Sequence, residues 1–521
     1  MGKIARYLNQ LIVGNVFDSP EILEKYSTDL SVLAIKPKLV ALPESTEDVQ
    51  RLARFCYQLA LKDVKAPITV RGSGLDETGA DLGSGMIILT DKLNRLLEAD
   101  KRERLVRVQA GITLKELNTA LSLNGLTIPV AGHEMETIGG LISNLPSDDF
   151  AGKYGGIMNY VERIEVVLAD GSILQTSRMG ARTLKKKTAE KNPTGKIYSK
   201  IAKLAEKHDS LIKEMSKKPM GRAGYQTITK SVQKGSIDLM PLFFGAQGTL
   251  GIITEVILRA VPIESHVRRA VATFSDFKMA QNFLDMVVPM KPRKLNLYDV
   301  RIMKVAEETG KKLGKITGKL EGGFVVQAEF DHRVNAALRK IESVRKVLPR
   351  NTFLVTENGK NSEDLDELDN SLVSFLNQTK NGERVPIVTN FTVPAKNLEN
   401  FIQDIKVLEG SLGMELALYG SYMTNCYSLR PKFDTTEKDF SKKSVAFLRA
   451  SSFIIRREGG KIAGGSAEGR IKALVSSEEM SDDETMLYAD IKNAFDKYGI
   501  LNPGVKLEVD PTFVVRHFRK N

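Results

Sequence analysis

Three glycine-rich turns, each joined to a β-rich run, constrain this chain more than any other feature. They read RGSGLDETGA at 71–80, ETIGGLISN at 136–144 and GAQGTLGIITE at 245–255. In the last of these, Gly245, Gly248 and Gly251 let the backbone turn tightly and approach a ligand closely. Ile252, Ile253, Val256 and Ile257 then favour a strand. The first turn follows ITVR, so its successive N–H groups are placed to cradle a pyrophosphate. Gly79 comes too late to complete G-x-G-x-x-G, and no Lys-Ser or Lys-Thr follows the glycines as a Walker A loop requires. Any one turn alone reads as an ordinary loop or helix start. Together they predict a long cofactor held by main chain at several points.

At 521 residues the chain exceeds one hydrophobic core, and two or three domains are expected. LVAL (39–42), ITVRG (68–72), MIILT (86–90) and LVRVQAG (105–111) read as strands. Ser45 with Asp48, and Thr113 with Glu116, read as helix caps. Cys56 falls on the apolar stripe of the first of these helices and is assigned to the core. VERIEVVLADGSILQT (161–176) reads as a hairpin turning at Asp170-Gly171. After Pro262 the texture changes to strands at 270–274, 324–330, 352–356 and 386–393, with helices at 333–347 and 396–407.

Two cysteines, Cys56 and Cys426, give no disulfide framework and no metal cluster, and a reducing cytoplasm is the expected location. No apolar run approaches the ~20 residues needed to span a bilayer. The net charge of +12 is uneven: residues 178–218 hold thirteen Lys and Arg against four acids. This segment reads as a solvated insertion with helical turns near 199–216. The same charge suits weak, reversible contact with an anionic membrane face. Tyr198 is its only aromatic residue, so nucleic acid is not expected as a partner.

The order of motifs resembles a known family. YSTDLSVL (26–33), KPKLVALPESTEDVQ (36–50), the first glycine turn, QAGITLKELNTAL, TIGGLISN, KYGG, VVLADGSIL, GYQTI (224–228), the third turn and GILNPGVK (499–506) succeed one another. This is similar to flavoenzymes with a PCMH-type FAD-binding domain, the vanillyl-alcohol oxidase superfamily. The branch it resembles holds glycolate oxidase FAD subunits and D-lactate and D-2-hydroxyglutarate dehydrogenases. The resemblance implies an α+β fold: a two-subdomain PCMH-type FAD-binding domain with a ferredoxin-like α+β cap that binds substrate. The implied division is an N-terminal segment 1–30, an FAD domain 31–262 carrying the basic insertion 178–218, a cap 263–485, and a tail 486–521 returning to the FAD domain. It further implies that Arg71, Gly72, Ser73, Gly74, Leu75 and Gly79 wrap the pyrophosphate. Thr137, Gly139, Gly140, Ser143 and Asn144 would line the flavin and ribityl region, Ile253 and Glu255 the adenine side, and Asn502 the returning tail. The pyrophosphate loop carries no His or Cys for covalent attachment, so non-covalent FAD is expected. His133 precedes the second turn, where it reads equally as a flavin contact or a simple loop residue.

The second domain departs from the branch. A motif like G-H-x-G-D-G-N-x-H-x-R-P corresponds here to GSYMTNCYSLRP (420–431), with Ser421 and Ser428 for the histidines and Thr424 for the aspartate. The later G-E-H-G corresponds to GGSAEG (464–469), with Gly465 and Ser466 for Glu and His. Serine is a poor metal ligand and a poor base unless activated, so no metal is expected. Arg430 and Arg470 survive as a candidate clamp for a substrate anion. The implied activity is hydride transfer from a small anionic or hydroxylated, 2-hydroxy-acid-like substrate to FAD, with electrons passed to an unnamed acceptor. The alternatives are a flavin-binding partner subunit that has lost catalysis, and an oxidase or reductase of a sugar-like substrate.

Overall fold

Side-chain caps start the helices that the sequence marks. Ser45 accepts from the Asp48 N–H at the head of Thr46–Ala60, and Thr113 with Glu116 caps Leu114–Ser122 reciprocally. Thr46–Ala60 buries Val49, Leu52, Ala53 and Cys56, so that thiol is a core group. The structure is a computed structural model; it describes residues 2–519 apart from 234, 265–266, 304–321, 332–333, 348–353 and 357–382.

A four-stranded sheet runs in the order Asn15–Phe17, Leu39–Leu42, Met86–Leu89, Ile68–Arg71, with the last three parallel. Arg71 pairs with Leu89 at the sheet end, and the chain leaves it directly into the first glycine turn. A five-stranded antiparallel sheet follows: Leu96–Asp100, Leu105–Gln109, Ile252–Arg259, Val161–Val167, Ile173–Gln175. Its central strand, Ile252–Arg259, follows the third glycine turn. That turn is thereby fixed beside helix Ile138–Asn144, where Gly245 N donates to Ile142 O and Gln247 N to Ser143 O, both at 2.9 Å. The Asp170-Gly171 hairpin forms, with Gly171 at φ +80°.

Beyond Pro262 lies an antiparallel eight-stranded sheet. Its order is Leu354–Thr356, Val267–Phe274, Phe324–Asp331, Lys294–Asp299, Leu416–Ser421, Cys426–Phe433; Glu383–Arg384 and Val388–Thr392 both pair with Cys426–Phe433. Helices Phe277–Val287, Leu398–Leu412 and Phe440–Arg457 bury Phe283, Phe401 and Phe447 in the same core as Phe274, Phe330 and Phe391. The strand expected at 352–356 is described from Leu354 and the helix expected at 333–347 from Val334; positions 333, 352 and 353 lie outside the described residues. The fold is α+β, as the resemblance implied. Among the described residues no helix is long and apolar enough to cross a membrane.

The helical turns expected near 199–216 are the helices Pro193–Lys207 and Asp209–Met215, but the segment is not wholly solvated. Helix Pro193–Lys207 buries Ile197, Tyr198 and Ile201 in the core that also holds Val106 and Val256 of the five-stranded sheet. Only the helix Ala181–Thr188 within it buries nothing, and it carries Lys185, Lys186 and Lys187 in its last turn. Charge counts along the segment concealed an amphipathic helix whose lysines stand on one face.

The tail returns to the first sheet. Ile68 N donates to Ile500 O and Asn502 N to Ile68 O, each at 2.7 Å. Lys506 then reaches Glu468 at 2.7 Å, with both side chains wholly buried. Glu468 also accepts from Gly224 N at 2.8 Å, and Lys506 donates to Arg222 O at 2.9 Å. Removing one partner of such a pair leaves an uncompensated buried charge, at a cost of about 3–5 kcal/mol. Lys506→Met is expected to lower unfolding stability by that amount, and Glu468→Gln in the same chain to restore part of it, as read from urea midpoints. Equal midpoints for the single variant and the parent would contradict the assignment.

Candidate functional site

The three glycine turns converge on one cavity that is partly open to solvent. Gly72, Ser73, Gly74 and Leu75 line it from the first turn; Thr137, Gly139, Gly140, Ser143 and Asn144 from the second; Gly248 and Ile253 from the third. Thr137 Oγ1 accepts from Gly140 N at 3.1 Å, and a Cβ on Gly72 would overlap that same oxygen. Gly248 sits at φ +71°, a backbone conformation that side-chain-bearing residues rarely adopt, and packs next to Val70 in the lining of the cavity. The cavity's backbone lining and its glycine floor fit FAD. The residues named would hold it, and FAD supplies a two-electron acceptor there.

Four expected cofactor contacts stand elsewhere. Arg71 donates to Thr28 O at 2.8 Å and faces Asp81 at 3.8 Å, packing over Gly74 from behind the turn. Gly79 turns at φ +75° against Leu33. Glu255 pairs with Arg107, because a register irregularity between Ile253 and Glu255 breaks the two-residue alternation that would have put both on one face. Asn502 is a tether: its amide donates to Ala80 O and Gln247 O at 2.8 and 2.7 Å, and its oxygen accepts from Thr69. All four shape or brace the loops without lining the cavity.

Sequence reasoning passed over the acids of this cavity. Asp76 folds the first turn by accepting from Thr78 N and Ala80 N at 2.9 and 2.7 Å. Burial and the neighbouring Asp81 push its carboxyl up to about 6. The D-E-T of the turn is an Asx-type signal that could have identified this role.

A larger cleft opens from the first cavity and shares Leu75, Asp76, Glu136, Asn144 and Pro146 with it. One wall belongs to the FAD domain, including His133, Glu136 and Asp148. Burial pushes the carboxyls of Glu136 and Asp148 up to about 7 and lowers His133. The facing wall is the eight-stranded sheet, with Arg269, Arg293 and Lys294. Glu329 lies between the two arginines: burial raises its carboxyl, yet Arg293, Arg269 and Lys294 outweigh that and hold it below its ordinary value. Lys294 faces Asp149 at 3.3 Å, and Arg293 stacks on Phe150.

Neither arginine of the expected anion clamp faces this cleft. Arg430 pairs with Glu77 and donates to Tyr419 Oη at 2.9 Å; Glu77 and Tyr419 line the cleft and Arg430 stands behind them. Arg470 spends its donors on Leu82 O and Pro503 O at 2.8 and 2.9 Å, which fastens the tail to the FAD domain. The clamp reading is corrected accordingly: the cations that face the cleft are Arg269, Arg293 and Lys294, on strands whose sequence carries no recognisable motif.

The floor is formed by the departed motifs, including Ser421, Cys426, Ser428 and Ser466. Ser428 Oγ accepts from Asn390 N at 2.9 Å, and Ser466 Oγ accepts from Lys472 Nζ at 2.8 Å. A Cβ on Gly465 would overlap the Cys426 sulfur, so no carboxylate ligand fits there. Burial pushes the Cys426 thiol up to about 12, which keeps it protonated. Hydroxyls, a neutral thiol and a neighbouring ammonium make a donor set that does not suit a divalent cation.

Comparison with known proteins agrees with this geometry. The family described as "FAD binding domain" matches residues 37–177, and that described as "FAD linked oxidases, C-terminal domain" matches residues 263–505. A D-2-hydroxyglutarate dehydrogenase of Pseudomonas putida is 24% identical over 506 residues, covering 92% of this chain and 49% of that protein. Glycolate oxidase subunit GlcD of Bacillus subtilis is 24% identical over 475 residues, covering 90% and 88%. The chain thus spans about half the length of the D-2-hydroxyglutarate dehydrogenases it matches. In fold it is similar to a 4-ethylphenol oxidase from Gulosibacter chungangensis, with a TM-score of 0.67, 18% identity and 94% of both chains covered. The chain belongs to the PCMH-type FAD-linked oxidases.

Proposed function

We propose that the chain oxidises the hydroxyl-bearing carbon of a small anionic acid of the 2-hydroxy-acid class, using FAD. The observation that carries this reading is the cationic wall of the cleft that opens from the cofactor cavity. On the sheet wall Arg269, Arg293 and Lys294 outnumber Glu329 and the facing Asp149, so a carboxylate laid against that wall meets an excess of positive charge, while the acids of the cleft stand on its other side. The relatives named for D-2-hydroxyglutarate and glycolate support the same substrate class. Anaerobic mixing with a panel of 2-hydroxy acids, sugar acids and alditols is expected to bleach the flavin with a 2-hydroxy acid. Arg293→Leu should weaken binding of that acid about tenfold to hundredfold, the worth of a charge-assisted hydrogen bond. Bleaching by an alditol alone would favour the sugar-like reading. Bleaching by nothing would favour a partner subunit without catalysis.

None of the residues lining the cofactor cavity is His or Cys, which supports non-covalent FAD. Acid denaturation is expected to release FAD, not FMN, into the supernatant. The donor set on the cleft floor supports turnover without a divalent metal. Dialysis against EDTA is expected to leave the bleaching rate unchanged, and recovery by zinc or manganese after a loss would count against the reading.

The exposed helix Ala181–Thr188 supports weak, salt-sensitive contact with anionic membranes, through which a membrane carrier would take the electrons. Its range is about 8 Å at physiological salt. Vesicles containing phosphatidylserine should co-float the protein at low salt and release it at high salt. Failure to co-float at low salt removes the membrane contact.

A further inference from the structure

Lys472 is buried beneath the cleft floor and belongs to none of the motifs read from the sequence. Its Nζ donates to three oxygens: Thr389 O at 3.2 Å, Ser466 O at 3.1 Å and Ser466 Oγ at 2.8 Å. Two of these are carbonyls, which only accept. The third is a hydroxyl, which accepts or donates. This set satisfies both protonation states of the amine. As ammonium, Lys472 donates to all three. As a neutral amine it keeps two N–H bonds to the carbonyls and turns its lone pair to the Ser466 hydroxyl proton.

Ser466 is the member of this pair that lines the cleft. The residues on either side fasten it to the cofactor loop: Ser147 N donates to Gly465 O at 2.5 Å, and Ala467 N donates to Asn144 O at 3.0 Å. Asn144 lines both the cofactor cavity and the cleft. Ser466 therefore stands at the junction of the two.

We propose that Ser466 and Lys472 are the proton-accepting pair of the oxidation, with Ser466 the catalytic residue and Lys472 the positioning residue that receives the proton through it. The proposal rests on the 2-hydroxy-acid reading. The substrate O–H bond breaks and its proton passes to Ser466 Oγ. The Ser466 hydroxyl proton passes to the neutral Lys472 Nζ, giving an ammonium. The C–H bond breaks as a hydride, whose two electrons reduce the flavin, and the C–O single bond becomes a carbonyl. Charge and atoms balance with no metal and no further oxidant.

The surroundings keep the amine within reach of its neutral form. Burial lowers it, Cys426, Glu468 and Asp76 raise it, and Arg222 lowers it, with a net position down to about 8. Proton acceptance needs the neutral amine, so the rate of flavin reduction rises as pH rises through that value.

The test uses the holoenzyme in three forms. In the parent chain the anaerobic reduction rate should rise with pH, half-maximal near 8. Ser466→Ala should lower the rate on the order of 10²-fold or more with substrate affinity retained. Lys472→Met should be slow with a flat profile. A readout free of turnover accompanies these: the oxidised flavin's visible difference spectrum should titrate near pH 8 in the parent and not in Lys472→Met. FAD content and circular dichroism establish that each variant is folded; should Lys472→Met not fold, Ser466→Ala and the parent titration decide. A Ser466→Ala chain reducing at the parent rate, a pH inflection kept by Lys472→Met, or a parent spectrum flat between pH 6 and 10 would each overturn the pair. Absence of bleaching by every acid, with the spectral titration intact, would refute the 2-hydroxy-acid reading while the titration supports the pair.

Discussion

The wholly buried pair of Glu468 and Lys506 holds the molecule in register. One charge belongs to the loop that forms the cleft floor and the other to the returning tail. Both also bond main chain of the FAD domain, at Gly224 and Arg222. Isolated charges at such depth are expensive, and they persist here because each has more than one partner. The consequence is positional. Ser466 lies two residues before Glu468, so the same pair that seals the tail fixes the cleft floor against the cofactor loop. Asn502 adds neutral tethers from the tail to Ala80 and Gln247, which both line the cofactor cavity.

What was legible in the sequence was what local physics decides. Helix caps at Ser45 and Thr113, the Asp170-Gly171 hairpin and the three glycine turns formed as read. Those features depend on residues a few positions apart. The roles of charged residues were not legible in the same way. Arg470 and Glu255 are as striking in sequence as any binding residue, yet one fastens the tail and the other pairs across a sheet. A guanidinium shows only that it will find an acceptor; which acceptor is set by elements far apart in the chain. The Ile253–Glu255 irregularity shows the same limit for strands, where one slip reverses a face. Lys472 was missed because nothing near it in sequence hints that Thr389 O and Ser466 Oγ meet at its amine.

The basic segment teaches a related point about composition. Its lysines suggested a solvated insertion, but Ile197, Tyr198 and Ile201 recur at helical spacing and take one face into the core. Long charged side chains cover the rim of that face and keep their heads in water, so high charge and partial burial coexist. Ala181–Thr188 is the helix of the segment that buries no residue.

The cleft is electrically two-sided, and this bears on how an acid would lie in it. Arg269, Arg293 and Lys294 stand on the sheet wall, while Glu136 and Asp148 stand on the FAD-domain wall. Burial pushes both of those carboxyls up to about 7, so below that pH they are mostly uncharged and repel an anion little. Above it their charge appears and presses a carboxylate toward the sheet wall.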